Sequence, residues 1–141
     1  MLNTVCNLLA VFGLVLATST PAPAETYSIP TEKVNTQKVY WGSAASFQKP
    51  GRVDYEQIVK STPEYSSIKK KKIQSGTAKY WILLSKASDH AVRLISEVGQ
   101  ETDFDLIVAS GYFEEIKLEK PAETPDITSL VLAKLEHEGG A

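Results

Sequence analysis

Apolar residues recur along this chain with helical and with extended periods, and the changes of period divide it into elements. The clearest run is Ile73, Thr77, Tyr80, Leu84, Ala87, Ala91, Leu94 and Val98, which steps by alternating fours and threes. That spacing puts one side chain per turn on a single helix face. It predicts an amphipathic helix from about Thr77 to Val98, with small Ala87 and Ala91 where a neighbouring helix can approach. About three heptads suit a coiled coil and a globular helix equally, so the stripe reads as an oligomer seam or a hairpin seam.

Ahead of it, Ile58, Val59, Tyr65, Ile68 and Ile73 give two shorter stretches an apolar side. Each has a start signal: Asp54 three residues before Gln57, as in a capping box, and Thr62 before Pro63. Gly76 can take positive φ and end this limb, and Thr77 can cap the next. At 1.5 Å per residue, Asp54 to Gln74 would rise about 31 Å and Thr77 to Val98 would descend about 33 Å. Equal limbs predict an antiparallel helical hairpin over 54–98. The competing picture is one continuous helix from Pro63 to Val98.

Extended patterns flank the hairpin. Val39-Tyr40-Trp41 before Gly42 is a short β-prone run. Phe104 to Ala109 reads as a buried strand, Ser110-Gly111 as a turn and Tyr112 to Ile116 as a return strand, giving a β hairpin over 104–116. A final helix, 126–138, starts at Asp126 with Ile127, Leu130, Val131 and Leu135 on one face. Glu25 to Gln37 is polar and weakly periodic and reads as a mobile lead. The fold class is therefore α+β: a small antiparallel β body, a projecting helical hairpin and a C-terminal helix.

The first 24 residues carry no charged side chain. An apolar run, Leu8 to Ala17, precedes Thr18 to Pro21 and an Ala22-Pro23-Ala24 cleavage signal, so 1–24 reads as a cleaved signal peptide cut after Ala24. The run is shorter than the roughly 20 residues a membrane span needs. Export to the periplasm or beyond is the expectation. Cys6 falls within this segment, leaving the mature chain to fold without disulfides. The remaining divisions are a lead over 25–50, with a short strand, and a domain over 51–141.

Charge is unevenly spread. Lys33 to Arg93 holds 12 basic and 4 acidic residues, whereas Glu97 to Ala141 holds 3 basic and 11 acidic. Lys69-Lys70-Lys71-Lys72 is the densest run. On a helix it would form a collar near the hairpin tip, able to steer acidic chains or to touch an anionic membrane surface weakly. Tyr80-Trp81-Ile82-Leu83-Leu84 is apolar around most of a helical circumference, which fits either burial or an exposed binding surface. Nothing points to an enzyme. His90 and His137 are the only histidines, adjacent Asp89 and His90 diverge on a helix, and no nucleophile is placed with them. No metal or cofactor motif is present, and export with an acidic overall balance argues against nucleic acid.

Three blocks resemble the Skp/OmpH family of periplasmic chaperones: Val53 to Tyr65; Ala91 to Glu101 running into Asp103-Phe104-Asp105-Leu106-Ile107-Val108; and Asp126-Ile127-Thr128 with Val131, Leu132 and Leu135. The resemblance implies a homotrimer whose helical arms hold unfolded outer-membrane or envelope proteins without ATP. The arms here are much shorter than the family's, and Pro50-Gly51 interrupts the opening strand. On that reading Lys69, Lys70, Lys71, Lys72, Tyr80 and Trp81 contact clients, and Ile73, Tyr80, Leu84, Ala87, Ala91, Leu94 and Val98 form the seam. The alternative is a structural or scaffold protein of the envelope with the same fold.

Overall fold

A computed structural model describes residues 21–118 and 123–140. The predicted signal peptide lies outside the described residues up to position 20, and 21–26 are exposed and without regular structure.

The elements run β1 (Val39–Gly42), β2 (Pro50–Val53), α1 (Tyr55–Ser61), α2 (Pro63–Lys70), α3 (Ala78–Glu101), β3 (Leu106–Ala109), α4 (Tyr112–Glu115) and α5 (Thr128–Gly139). The α+β class holds, but the sheet is mixed rather than antiparallel. Its order is β1-β3-β2, with β1 antiparallel and β2 parallel to the central β3. Residues 125–127 add one more rung outside β2. The Arg52 amide donates to the Pro125 carbonyl at 3.0 Å, and the Ile127 amide donates to the Arg52 carbonyl at 2.9 Å.

Being central, β3 is covered on both faces, which is why Leu106-Ile107-Val108 is apolar without alternation. Ile107 faces a core with Val53, Ile58, Val59, Ala87, Ala91, Leu94, Ile95, Val98, Ile127, Val131 and Leu135. Leu106 and Val108 face the other way, toward Ile29, Phe47, Tyr112 and Phe113. Successive strand residues point to opposite faces, so one short strand nucleates two cores.

The second core corrects two expectations. The lead is packed against the sheet. The Tyr27 and Phe47 amides donate to each other's carbonyls at 2.8 and 2.9 Å, and Ile29 donates to Ala44 at 2.8 Å. The Tyr112 hydroxyl donates to the Lys33 carbonyl at 2.7 Å and accepts from the Asn35 amide at 2.8 Å, pinning the lead across the sheet. The return strand is absent as well: Tyr112–Glu115 is helical. Both edges of β3 are already taken by β1 and β2. Tyr112 and Phe113 must also enter the same core, which consecutive residues do on a helix and not on a strand. Gly111, at φ 81°, turns the chain into this helix.

Local caps form as read. The Asp54 carboxylate accepts from the Gln57 amide, the Thr62 hydroxyl from Tyr65 and the Thr77 hydroxyl from Tyr80. The C-terminal helix starts at Thr128, two residues later than expected. The Asp126 carboxylate accepts from the Thr128 amide at 3.0 Å and hydroxyl at 2.6 Å, and that hydroxyl accepts from the Asp54 amide at 2.8 Å. The Asp126-Ile127-Thr128 block thus ties the last helix to the junction of β2 and α1. Leu130, expected on the apolar face, is exposed.

The helix α3 runs through Gly99 to Glu101. Gly99 is not a turn. A Cβ there would lie 2.4 Å from the Trp41 indole. The missing side chain lets β1 lay Trp41 directly on the helix.

Candidate functional site

The hairpin forms, but its limbs are unequal. The ascending limb breaks at Thr62, whose extended backbone separates α1 from α2, and it ends at Lys70 rather than near Gln74. The stop comes from the lysines themselves. Lys71 is the C-cap, and Lys72 takes left-handed φ 48°. The Lys72 amide then donates to Lys69 at 3.2 Å and the Ile73 amide to Ile68 at 3.0 Å. This is the Schellman arrangement, usually built on glycine. Gly76 has positive φ, at 87°, but it lies in the connecting loop and ends no helix. The expected helical collar is therefore two helical lysines, Lys69 and Lys70, and two in the turn.

The seam residues divide. Ala87, Ala91, Leu94 and Val98 are fully buried within the single chain, against α1, α5 and the sheet. Ile73, Tyr80 and Leu84 are only half-buried. No residue from 69 to 86 is fully buried. The base of the hairpin belongs to the body, and this distal part lies mostly outside the core, with Leu84 packed against it at the boundary.

That tip has a distinct composition. Between Glu64 and Asp89 there is no acidic residue, and there are six lysines: Lys69, Lys70, Lys71, Lys72, Lys79 and Lys86. All six are exposed, and none makes an ion pair with a described residue. Lys69 rests over the Tyr65 ring, its ammonium 5.5 Å from the centroid. Elsewhere cations are mostly matched: Lys38 with Glu115, Lys49 with Asp103, Lys60 with Glu56, Arg93 with Glu97 and Glu138, and Lys134 with Glu97 and Glu101.

Among these lysines stand the two most exposed large apolar side chains of the described residues, Trp81 at 57% and Ile82 at 56%. The Tyr80 ring meets Trp81 edge-on, with centroids 5.3 Å apart and planes at 83°, which supports the indole from beneath. Tyr80 therefore serves as a half-buried prop and Trp81 as the exposed contact. The sequence pattern singled out the four-lysine run. It also marks Ile82 within the apolar Tyr80–Leu84 stretch, but not Lys79 and Lys86, although the acid-free stretch around them is visible in the sequence.

Chemically the tip is a cationic field around an apolar contact. Like charges held together raise the local potential and speed the approach of acidic partners. Trp81 and Ile82 can then bury against an apolar segment, worth about 1.5–3 kcal/mol for each side chain fully covered. Among the described residues no His, Cys, Asp or Glu side chains converge as a metal site, and no helix is long and apolar enough to cross a membrane.

No family model, curated protein or solved structure matches this chain.

Proposed function

We propose that this chain is an exported, ATP-independent holdase that binds unfolded envelope or outer-membrane polypeptides through the tip of its helical hairpin. The observation that carries this reading is the segregation of charge. Six exposed lysines without ionic partners among the described residues share the hairpin tip with exposed Trp81 and Ile82, while most cations of the body are paired. Unfolded chains with acidic and apolar stretches suit such a surface, and no nucleotide is needed for it to work. In this reading the body is a mount, and association into a homo-oligomer, a trimer by the family resemblance, brings several tips to one client.

The test is suppression of aggregation of an unfolded outer-membrane β-barrel protein diluted from urea. Stoichiometric excess of the mature chain should keep it soluble. Lys69, Lys70, Lys71 and Lys72 changed together to Gln should slow capture and flatten its salt dependence, since exposed charges are screened over about 8 Å at physiological salt. Trp81→Ser with Ile82→Ser should weaken retention more than capture. Absence of any suppression rejects the holdase.

A scaffold role is favoured by one observation: the hairpin seam from Ala87 to Val98 is consumed inside the chain, so the free tip is short. In that case light scattering would show a stable oligomer that leaves clients aggregating.

A further inference from the structure

The charged groups around His90 join three helices at one point. His90 lies on α3 with its side chain 13% exposed, and both ring nitrogens face carboxylates. Nδ1 is 3.0 Å from Glu64 Oε2 on α2, and Nε2 is 3.0 Å from Glu138 Oε2 at the end of α5. Arg93 grips Glu138 with two bonds of 2.8 and 2.9 Å and reaches Glu97 at 2.7 Å. Lys134 of α5 reaches back to Glu101 at 2.7 Å. Asp89 and Lys86 line the solvent side of His90 together with Glu64 and Arg93. Lys70 from α2 and Glu136 from α5 line its other side. Lys60 of α1 is held by Glu56.

A neutral imidazole carries one N–H and can donate to only one of two carboxylates. Its second nitrogen would then present a lone pair to a carboxylate oxygen at 3.0 Å, which is repulsive. Only the imidazolium satisfies both partners. Beside the ring, α2 and α5 flank a groove of about 730 Å³, lined by Ser61, Pro63, Ser66, Leu132 and Leu135 and walled by His90 and Glu138. The clasp sits where these two helices would separate.

We infer that His90 is a proton-operated clasp: protonated, it fastens the end of the C-terminal helix to the hairpin through Glu138 and Glu64, and deprotonated, it gives up one of these ties, so that the end, still held by Arg93, opens more readily beside the groove between α2 and α5. Burial alone lowers the ring's pKa, but the hydrogen bonds it donates to Glu64 and Glu138 outweigh it and leave it above 6.5. The clasp is therefore complete below about pH 6.5, the ring's unfolded value, and is lost as pH rises through the higher folded value. The Glu138 contact persists into acid: Arg93 first, and then His90, hold its carboxyl at about 2, so protonation detaches it only in strong acid. The inference does not depend on what the tip binds.

The test uses the full mature chain, labelled with ¹⁵N. Titration of the His90 ring should give a pKa above 6.5. Hydrogen exchange in the last turn of α5, corrected for intrinsic rates, should show opening that rises with pH by about tenfold for each unit of that elevation. His90→Gln should open the turn at all pH values and remove the response. Glu64→Gln offers a neutral ring a donor of its own, and should lower the His90 pKa without unfolding the chain. A ring pKa at or below 6.5, or α5 opening independent of pH in the unmodified chain, overturns the clasp even where His90→Gln fails to fold. An unchanged pH response in His90→Gln overturns it equally.

Discussion

Replacing Gly99 by Ala should destabilise this protein although the residue lies inside a helix, where Ala is ordinarily the better choice. The helix gains about 1 kcal/mol from the exchange. Against this, the new methyl would sit 2.4 Å from Trp41 Cγ and Cδ1 and 2.5 Å from Nε1. A normal carbon contact is about 3.5–4.0 Å, so the indole must retreat by more than 1 Å. Trp41 belongs to an edge strand already broken by a register shift between Val39 and Trp41, so β1 is the element that yields. Overpacking of this kind costs about 1–3 kcal/mol, and expelling a large aromatic costs more. The net loss should be up to about 2 kcal/mol from overpacking alone, or up to roughly 8 °C in Tm for a domain of this size, and more where the indole is expelled. The assay is urea unfolding followed by circular dichroism, with Trp41 the sole tryptophan in a Trp81→Phe background, where its selectively excited fluorescence reports its own displacement. The decisive comparison is a double-mutant cycle. With Trp41→Ala in place, Gly99→Ala should become stabilising by up to about 1 kcal/mol, because only the propensity term survives. If Gly99→Ala stabilises the unmodified protein, or has the same effect in both backgrounds, the close approach of strand and helix is not what selects glycine.

Further predictions concern other joints. Lys72→Gly should raise stability by about 0.5–1 kcal/mol by relieving left-handed strain in a non-glycine residue, less the entropy glycine adds to the unfolded chain; thermal melts check it, and a lower Tm would refute it. Lys117, at φ 51°, closes α4 in the same way and should respond likewise. Tyr112→Phe leaves the Asn35 amide and the Lys33 carbonyl without their partner, costs about 1–3 kcal/mol, and should expose the 27–38 segment to proteolysis ahead of the rest. Glu138→Gln should weaken the protein above about pH 4.5, where the carboxylate is charged in both folded and unfolded chains, and flatten the loss of stability otherwise expected as pH falls toward 2; acid titration followed by circular dichroism reads both limbs.

The parts of the fold that were legible in the sequence are those set by local chemistry. Asp54, Thr62 and Thr77 cap helices because the bond each makes reaches only three residues ahead. The α3 stripe was visible because burial repeats with the helix period. The parts that were not legible depend on partners far along the chain. Tyr112 to Ile116 has strand composition, and only the occupation of both β3 edges makes it helical. Glu25 to Gln37 reads as loose chain because Ile29 is an isolated apolar residue in a polar run. Its burial requires the second face of a strand about eighty residues away. Lys72 looked like part of a helix because nothing in a lysine announces left-handed backbone. At the tip, Trp81 was legible as a contact and Tyr80 was not legible as its prop, since both are aromatic and adjacent. His90 was discounted through its neighbour Asp89, whereas its partners come from two other helices.

The parallel pairing of β2 with β3 has a consequence for how this molecule can change. Everything between those strands, about fifty residues, is a single crossover whose two ends the sheet holds side by side. Closing such a loop grows costlier only with the logarithm of its length, by about 0.6 kcal/mol per doubling. Since the tip contributes no fully buried residue to either core, turns of helix can be added to or removed from it in pairs while the sheet, the strap of the lead and the C-terminal helix remain as they are. Reach and stability are thus inherited separately: the length of the arm is a quantity that selection, or an engineer, can set without refounding the domain that carries it.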